Sequence, residues 1–195
     1  MTRHLLIAGA AIAALSMAAC NKPAETKGAA TPAEQAATPD ANPAATIPTP
    51  ANEAAAPDFV AKAAASDMFE VQAAKLAQTK SSNAEVKKFA AEMIAAHTKS
   101  TADLKKAISD SGQAITPPAA LPADLQSKLD DLGKSTSFDK DYMNNQVDAH
   151  QAALDLMQRY AQDGDVPAIK AFAAATAPVV QTHYDHAKTL RDALK

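Results

Sequence analysis

The sequence predicts an all-α protein whose folded part is an up-down four-helix bundle. Three observations carry this expectation. Apolar residues recur at steps of three and four through most of residues 58–195, β-branched runs are absent, and capping and breaking residues divide that stretch into four long segments. The first long helix is expected to open at Pro57-Asp58, with Asp58 as N-cap, and to run to about Lys80. Ser82 followed three residues later by Glu85 reads as a capping box that starts the second helix. That helix should continue to Ser111, with Gly112 just beyond its end. A proline-rich connection from Ile115 to Pro122 leads into a short extra helix ending near Gly133. The third long helix should start around Ser137 and stop before Gly164; Asp165 then caps the fourth, with Pro167 in its first turn. Four long helices with two tight connections and one long connection describe a bundle.

The stripes are clean on three helices. Val86, Phe89, Met93, His97, Thr101, Leu104 and Ile108 share one face of the second. Met143, Val147, His150, Leu154, Met157 and Ala161 share one face of the third. Ile169, Phe172, Thr176, Val180, His183, Ala187, Leu190 and Leu194 share one face of the fourth. On the first helix Phe59, Ala63, Ser66, Glu70, Ala73 and Ala77 align, with Phe69 and Leu76 beside them.

Four ionisable residues therefore lie on core-facing stripes: Glu70, His97, His150 and His183. A rise of 1.5 Å per residue puts them roughly 13 to 20 Å above one end of the bundle, so they are expected to converge. Buried polar groups are costly unless paired or coordinated. All four are thus expected to be buried, with at least one Glu–His or His–His hydrogen bond or a shared ligand. A metal-free hydrogen-bonded network is the first reading, and a single zinc, iron or manganese ion on three histidines and one carboxylate is the second. Nearby residues have milder readings. Pro178 lies inside the fourth helix and removes the bond to the Ala174 carbonyl. Tyr184 and His186 flank His183, Asp148 should point away from His150, and Lys87, Lys88, Lys99, Lys105 and Lys106 read as a solvated face.

The segments before residue 58 differ in kind. Residues 1–19 read as an export signal, with Arg3 ahead of an apolar run from Leu5 to Ala19. Met17-Ala18-Ala19-Cys20 resembles a bacterial lipobox, so Cys20, the single cysteine, is the expected lipidation site. Membrane lipid attached through Cys20 is then the expected partner, on the periplasmic side of the envelope. Asn21, where an aspartate would resemble an inner-membrane retention signal, points to the outer membrane. Residues 20–57, rich in Ala, Pro and Thr, carry almost no large aliphatic side chain to offset chain entropy and read as a disordered tether of roughly 30 to 40 Å reach.

Composition excludes several functions. The formal net charge is −3 and there is no tryptophan, so a basic nucleic-acid surface with interleaved aromatics is not expected. One cysteine allows no intrachain disulfide. No glycine-rich phosphate loop, Gly-x-Ser-x-Gly elbow or Cys-x-x-Cys pair occurs.

Phe59-Val60 through Phe69-Glu70, Phe89-Ala90-Ala91-Glu92-Met93 leading to His97, Phe138-Asp139-x-x-Tyr142-Met143 leading to His150, and Pro178 leading to His183 occur in order. Together they resemble the bacterial domain-of-unknown-function family 4142, often labelled predicted outer membrane proteins. The resemblance implies a ferritin-like four-helix fold and brings no established activity. In the family pattern an acidic residue precedes the second helix's histidine, whereas this chain has Ala96. A ferritin-type di-iron site needs Glu-x-x-His motifs, and Glu92 and His97 are five apart on different faces. The expected function is an envelope-anchored lipoprotein with a non-catalytic bundle serving envelope interaction or stress tolerance. The alternative is a metal-binding, redox-active bundle built on the Glu/His3 set.

Overall fold

The structure is a computed structural model and describes residues 54–194. It is all-helical, and no strand occurs among the described residues. The elements are α1 (Ala56–Lys80), α2 (Ala84–Ser111), α3 (Ala123–Lys134), α4 (Phe138–Asp163) and α5 (Pro167–Ala193). None of these helices is long and apolar enough to cross a membrane. The expected signal, lipobox and most of the tether lie outside the described residues.

Each helix forms where the apolar period allows it, but three starts differ from expectation. Asp58 is not the N-cap of α1: Ala55 holds that position, and Asp58 sits in the first turn, where an acid complements the helix dipole. Pro57 is tolerated there because the first N–H groups have no partner within the helix anyway. The side-chain cap comes from across the bundle. Asp165 Oδ1 accepts from the Ala56 N–H at 2.9 Å and from the buried Tyr160 hydroxyl at 2.9 Å. Asp165 therefore serves α1 rather than α5, whose N-cap is Val166, with Pro167 in its first turn. For α2 the cap is Asn83, not Ser82. Its side chain accepts from the Glu85 and Val86 N–H groups at 2.9 and 3.3 Å. The end of α2 is as read: Gly112 takes φ 65°, a left-handed position that closes the helix with little strain only for glycine.

Packing arranges the four long helices in a ring: α1 beside α2, α2 beside α5, α5 beside α4, and α4 beside α1. One apolar cluster joins the start of α1 (Phe59, Ala63), the end of α2 (Leu104, Ile108), the end of α4 (Met157, Tyr160) and the start of α5 (Ile169, Phe172). A second joins the opposite ends, including Ala73, Ala77, Phe89, Met93, Tyr142, Met143 and Ala187. Every neighbouring pair is thus antiparallel, as an up-down bundle requires. Along the chain the order is up, down, down, up, because the long connection carries the backbone the length of the bundle before α4 begins. The short helix α3 lies on this crossover against α1 and α4, seating Leu129 and Leu132 in the second cluster.

Between the two apolar clusters, residues that the helical period alone would make aliphatic are polar. The buried polar set includes Asp67 and Glu70 on α1, His97 on α2, and Gln146 and His150 on α4. The core is therefore two large apolar ends with a polar layer between them, and a small third cluster of Ala153, Leu154 and Val180 joins α4 to α5.

Candidate metal centre

The three histidines come from three helices and meet in that middle layer. His97 on α2 and His150 on α4 are buried, whereas His183 on α5 is half-buried, which corrects the expectation that all four stripe residues are enclosed. The ring centroids are 5.5 Å apart for His97 and His150, 5.6 Å for His150 and His183, and 6.0 Å for His97 and His183. One donor nitrogen from each ring lies within 4.8 Å of the other two. The nitrogens left without a partner are His97 Nε2, His150 Nε2 and His183 Nδ1.

Two of the rings are held from behind. The Asp67 carboxylate meets His97 Nδ1 at 2.8 Å, and both side chains are buried. Thr101 braces the pair, its hydroxyl lying 3.2 Å from Asp67 Oδ2 and 2.9 Å from the His97 carbonyl. His150 Nδ1 lies 2.8 Å from the Gln146 carbonyl one turn earlier, a bond in which that nitrogen donates. These contacts fix Nδ1–H on both rings and leave the Nε2 lone pairs facing the centre. Metal-binding imidazoles are held in this way, the second nitrogen donating to a carboxylate or backbone carbonyl.

Glu70 is placed differently from the sequence expectation. It is not among the groups brought within 4.8 Å of one another. Gln146 Nε2 donates to Glu70 Oε2 at 2.7 Å, and Glu70 Oε1 has no partner, although the residue is only 1 % exposed. The polar contacts in this layer are thus Asp67–His97, Thr101–Asp67, Thr101–His97, Gln146–Glu70 and Gln146–His150, with no direct Glu–His or His–His hydrogen bond among them. Asp67 and Gln146 were missed from sequence. Both carry a faint signal: Asp67 is three residues before Glu70, and Gln146 four before His150, so each shares its neighbour's helix face.

Burial and charge split the titrations. Burial alone would lower His97, but the bond to Asp67 and the nearby Glu70 carry its pKa above the ordinary value. Burial raises Glu70, with His97 and Gln146 opposing. Burial, then the charge of His97, lowers His150 to about 4, against the Gln146 carbonyl bond. Burial, then His150, His97 and His186, lower His183 to about 4. For the metal-free protein the signs follow. His150 and His183 contribute stability that is full above about pH 6.5 and lost as the pH falls towards 4. His97 contributes stability that is full below about pH 6.5 and lost as the pH rises through its elevated value. Glu70, also elevated, acts in the same sense as His97 and partly offsets the acid loss. An NMR titration of metal-free protein should therefore find the His150 and His183 imidazoles neutral at pH 6 and that of His97 cationic. His97, His150 and His183 titrating together near 6.5 would contradict the arrangement.

His186 is half-exposed, edge-on to Phe89 with centroids 5.2 Å apart, and its Nδ1 lies 3.5 Å from Glu92 Oε2. Lys188 lies over the Tyr184 ring at 5.0 Å. Asp148 is exposed, on the far side of α4 from His150. Pro178 is inside α5, five residues before His183.

One family model, described as a domain of unknown function, matches residues 40–190 of the chain. The match begins within the segment expected to be a tether. No curated protein and no solved structure matches.

Proposed function

The chain belongs to the domain-of-unknown-function family 4142, and from that premise we propose that its bundle binds one divalent transition metal ion on His97, His150 and His183. The observation that carries this is that one nitrogen from each of the three rings lies within 4.8 Å of the other two, in a largely buried layer where each ring also keeps one nitrogen without a protein partner. Each buried polar atom left unsatisfied costs on the order of 1 to 3 kcal/mol. A single cation would satisfy three such nitrogens at once. Imidazole is a borderline donor suited to zinc, iron, copper or nickel, and three of them suit tetrahedral zinc well. Zinc–nitrogen bonds of about 2.0–2.1 Å require nitrogens about 3.3 Å apart. His183, the least enclosed ring, is the one free to close the triangle. Asp67 and the Gln146 carbonyl supply the outer contacts that such ligands use, and binding would release the second proton of His97.

The ferritin-like assignment is part of this proposal. Its support is the single long crossover between α2 and α4, which is the connectivity of ferritin-like bundles. The donor set is mononuclear, however, and no Glu-x-x-His pair is present to build a di-iron site.

The reading includes the envelope anchor, whose support is the sequence around Cys20. The bundle would then act as a tethered metal-binding module facing the periplasm. Protein purified without an affinity tag should contain close to one equivalent of transition metal per chain by elemental analysis. Metal well below stoichiometry, not restored by added zinc, would return the site to a hydrogen-bonded network. For the anchor, Cys20→Ser should release the exported protein from the membrane fraction; unchanged fractionation would remove it.

A further inference from the structure

A metal centre in a largely buried layer needs a way in, and a ring of four long helices has four seams. We propose that His186 on α5 and Glu92 on α2 form an outer capture site for divalent transition metal ions, from which the ion passes to His183 and then to His97 and His150. The inference rests on the metal proposal and adds to it where the ion first binds and which seam it crosses.

Three of the four seams are shut around the histidines. Between α1 and α2 the buried Asp67–His97 pair bridges the two helices. Between α1 and α4 the buried Glu70–Gln146 contact does the same. Between α4 and α5, Val147 and Ala187 are buried one turn to one side of His150 and His183, and Leu154 and Val180 one turn to the other. The α2–α5 seam differs. His186 Nδ1 lies 3.5 Å from Glu92 Oε2 across it, and both side chains are half-exposed.

Exposure then falls in steps toward the centre. His186 and His183 are three residues apart on one face of α5, close enough for the charge of His186 to act on His183. His183 is half-buried, while its Nδ1 is shut from solvent and without a partner. One edge of that ring therefore faces the centre and another the surface. His97 and His150, both buried, lie beyond it, their centroids 6.0 and 5.6 Å from that of His183. Phe89 packs against both His186 and His150, with centroids 5.2 and 6.4 Å away. The polar continuation inward from His186 is thus through His183 rather than directly to His150.

The residue types suit the task. Imidazole and carboxylate together offer donors for zinc, iron and manganese. The carboxylate also attracts a hydrated cation before any of its waters exchange. Two half-exposed donors hold an ion more weakly than three converging imidazoles, so transfer runs inward.

The test uses the metal-free, full-length chain mixed with cobalt(II), whose visible absorption reports coordination by the inner histidines. Uptake should slow by about tenfold in His186→Ala and in Glu92→Gln, the scale on which groups next to metal ligands act. Release to a chelator should slow by the same factor, leaving the affinity and the final cobalt spectrum unchanged. Measuring both rates at high salt removes long-range attraction by the Glu92 charge as the cause. An unchanged uptake rate in either variant would overturn the capture site, as would a loss of affinity in place of the matched slowing. Glu92 is exposed, so Glu92→Gln decides even if His186→Ala disturbs the packing on Phe89. A chain that binds no cobalt would instead remove the metal reading on which the inference stands, a failure distinct from the other two.

Discussion

Saturating zinc should raise the unfolding midpoint of the bundle by roughly 10 °C, and a chelator should reverse the shift. A ligand that binds only the folded state stabilises it by about 2.7 kcal/mol at a hundred times its dissociation constant. For a domain of this size each kcal/mol moves the midpoint by about 4 °C. The donor nitrogens are contributed by α2, α4 and α5, so a cation would tie together three of the four long helices. Unfolding must then release the ion before the polar layer can separate. His150→Ala or His183→Ala should abolish the shift, because two remaining imidazoles and no committed carboxylate make a weak site. A midpoint unmoved by zinc, iron(II), manganese(II) and cobalt(II) alike would end the proposal.

The second large effect needs no metal. In the presence of chelator, His97→Ala should destabilise the domain by about 3–5 kcal/mol, the range seen when one partner of a buried pair is removed. Its cause is Asp67. That carboxylate is 5 % exposed and meets His97 Nδ1 at 2.8 Å; with the imidazole gone it keeps only the weaker contact from Thr101. Surface substitutions usually fall within about 0.5 kcal/mol of zero, so the difference is easy to resolve. Removing both partners should cost less than the sum of the two single changes, leaving a coupling of at least about 1 kcal/mol in a double-mutant cycle. Denaturant unfolding of His97→Ala, Asp67→Ala and the double variant measures this. Additive costs, or a His97→Ala loss near the surface level, would mean that the pair is incidental.

These two results also separate the accounts of the polar layer. A hydrogen-bonded core without metal predicts the second and not the first. A metal centre predicts both, since Asp67 orients His97 in either case. The reading from residue types alone put the metal-free network ahead. What moves the balance is that the network is incomplete: His97 Nε2, His150 Nε2, His183 Nδ1 and Glu70 Oε1 all remain without partners. Three of these atoms are imidazole nitrogens, and one nitrogen from each of the three rings lies within 4.8 Å of the others, a spacing that a single cation would use.

Much of the fold was legible in the chain. The stripes through Val86–Ile108, Met143–Ala161 and Ile169–Leu194 do face inward, and Gly112 and Pro167 punctuate their helices as their chemistry demands. His97, His150 and His183 were found because each interrupts an apolar stripe. A helix's period is local physics, written in three- and four-residue steps, so one helix's sequence suffices to say which residues face the core. What those residues meet there is a different question. It depends on the axial offset and rotation of one helix against another, and no local pattern encodes either. That is why Asp165, which reads as the cap of α5, serves the first turn of α1. It is also why Glu70, which reads as a fourth ligand, is claimed by Gln146, and why Asp67 emerges only once α1 is laid beside α2. The chain by itself determined the helices and the three inward histidines; the packing of α1 against α2 and α4 decided which carboxylate supports a histidine and which stands apart.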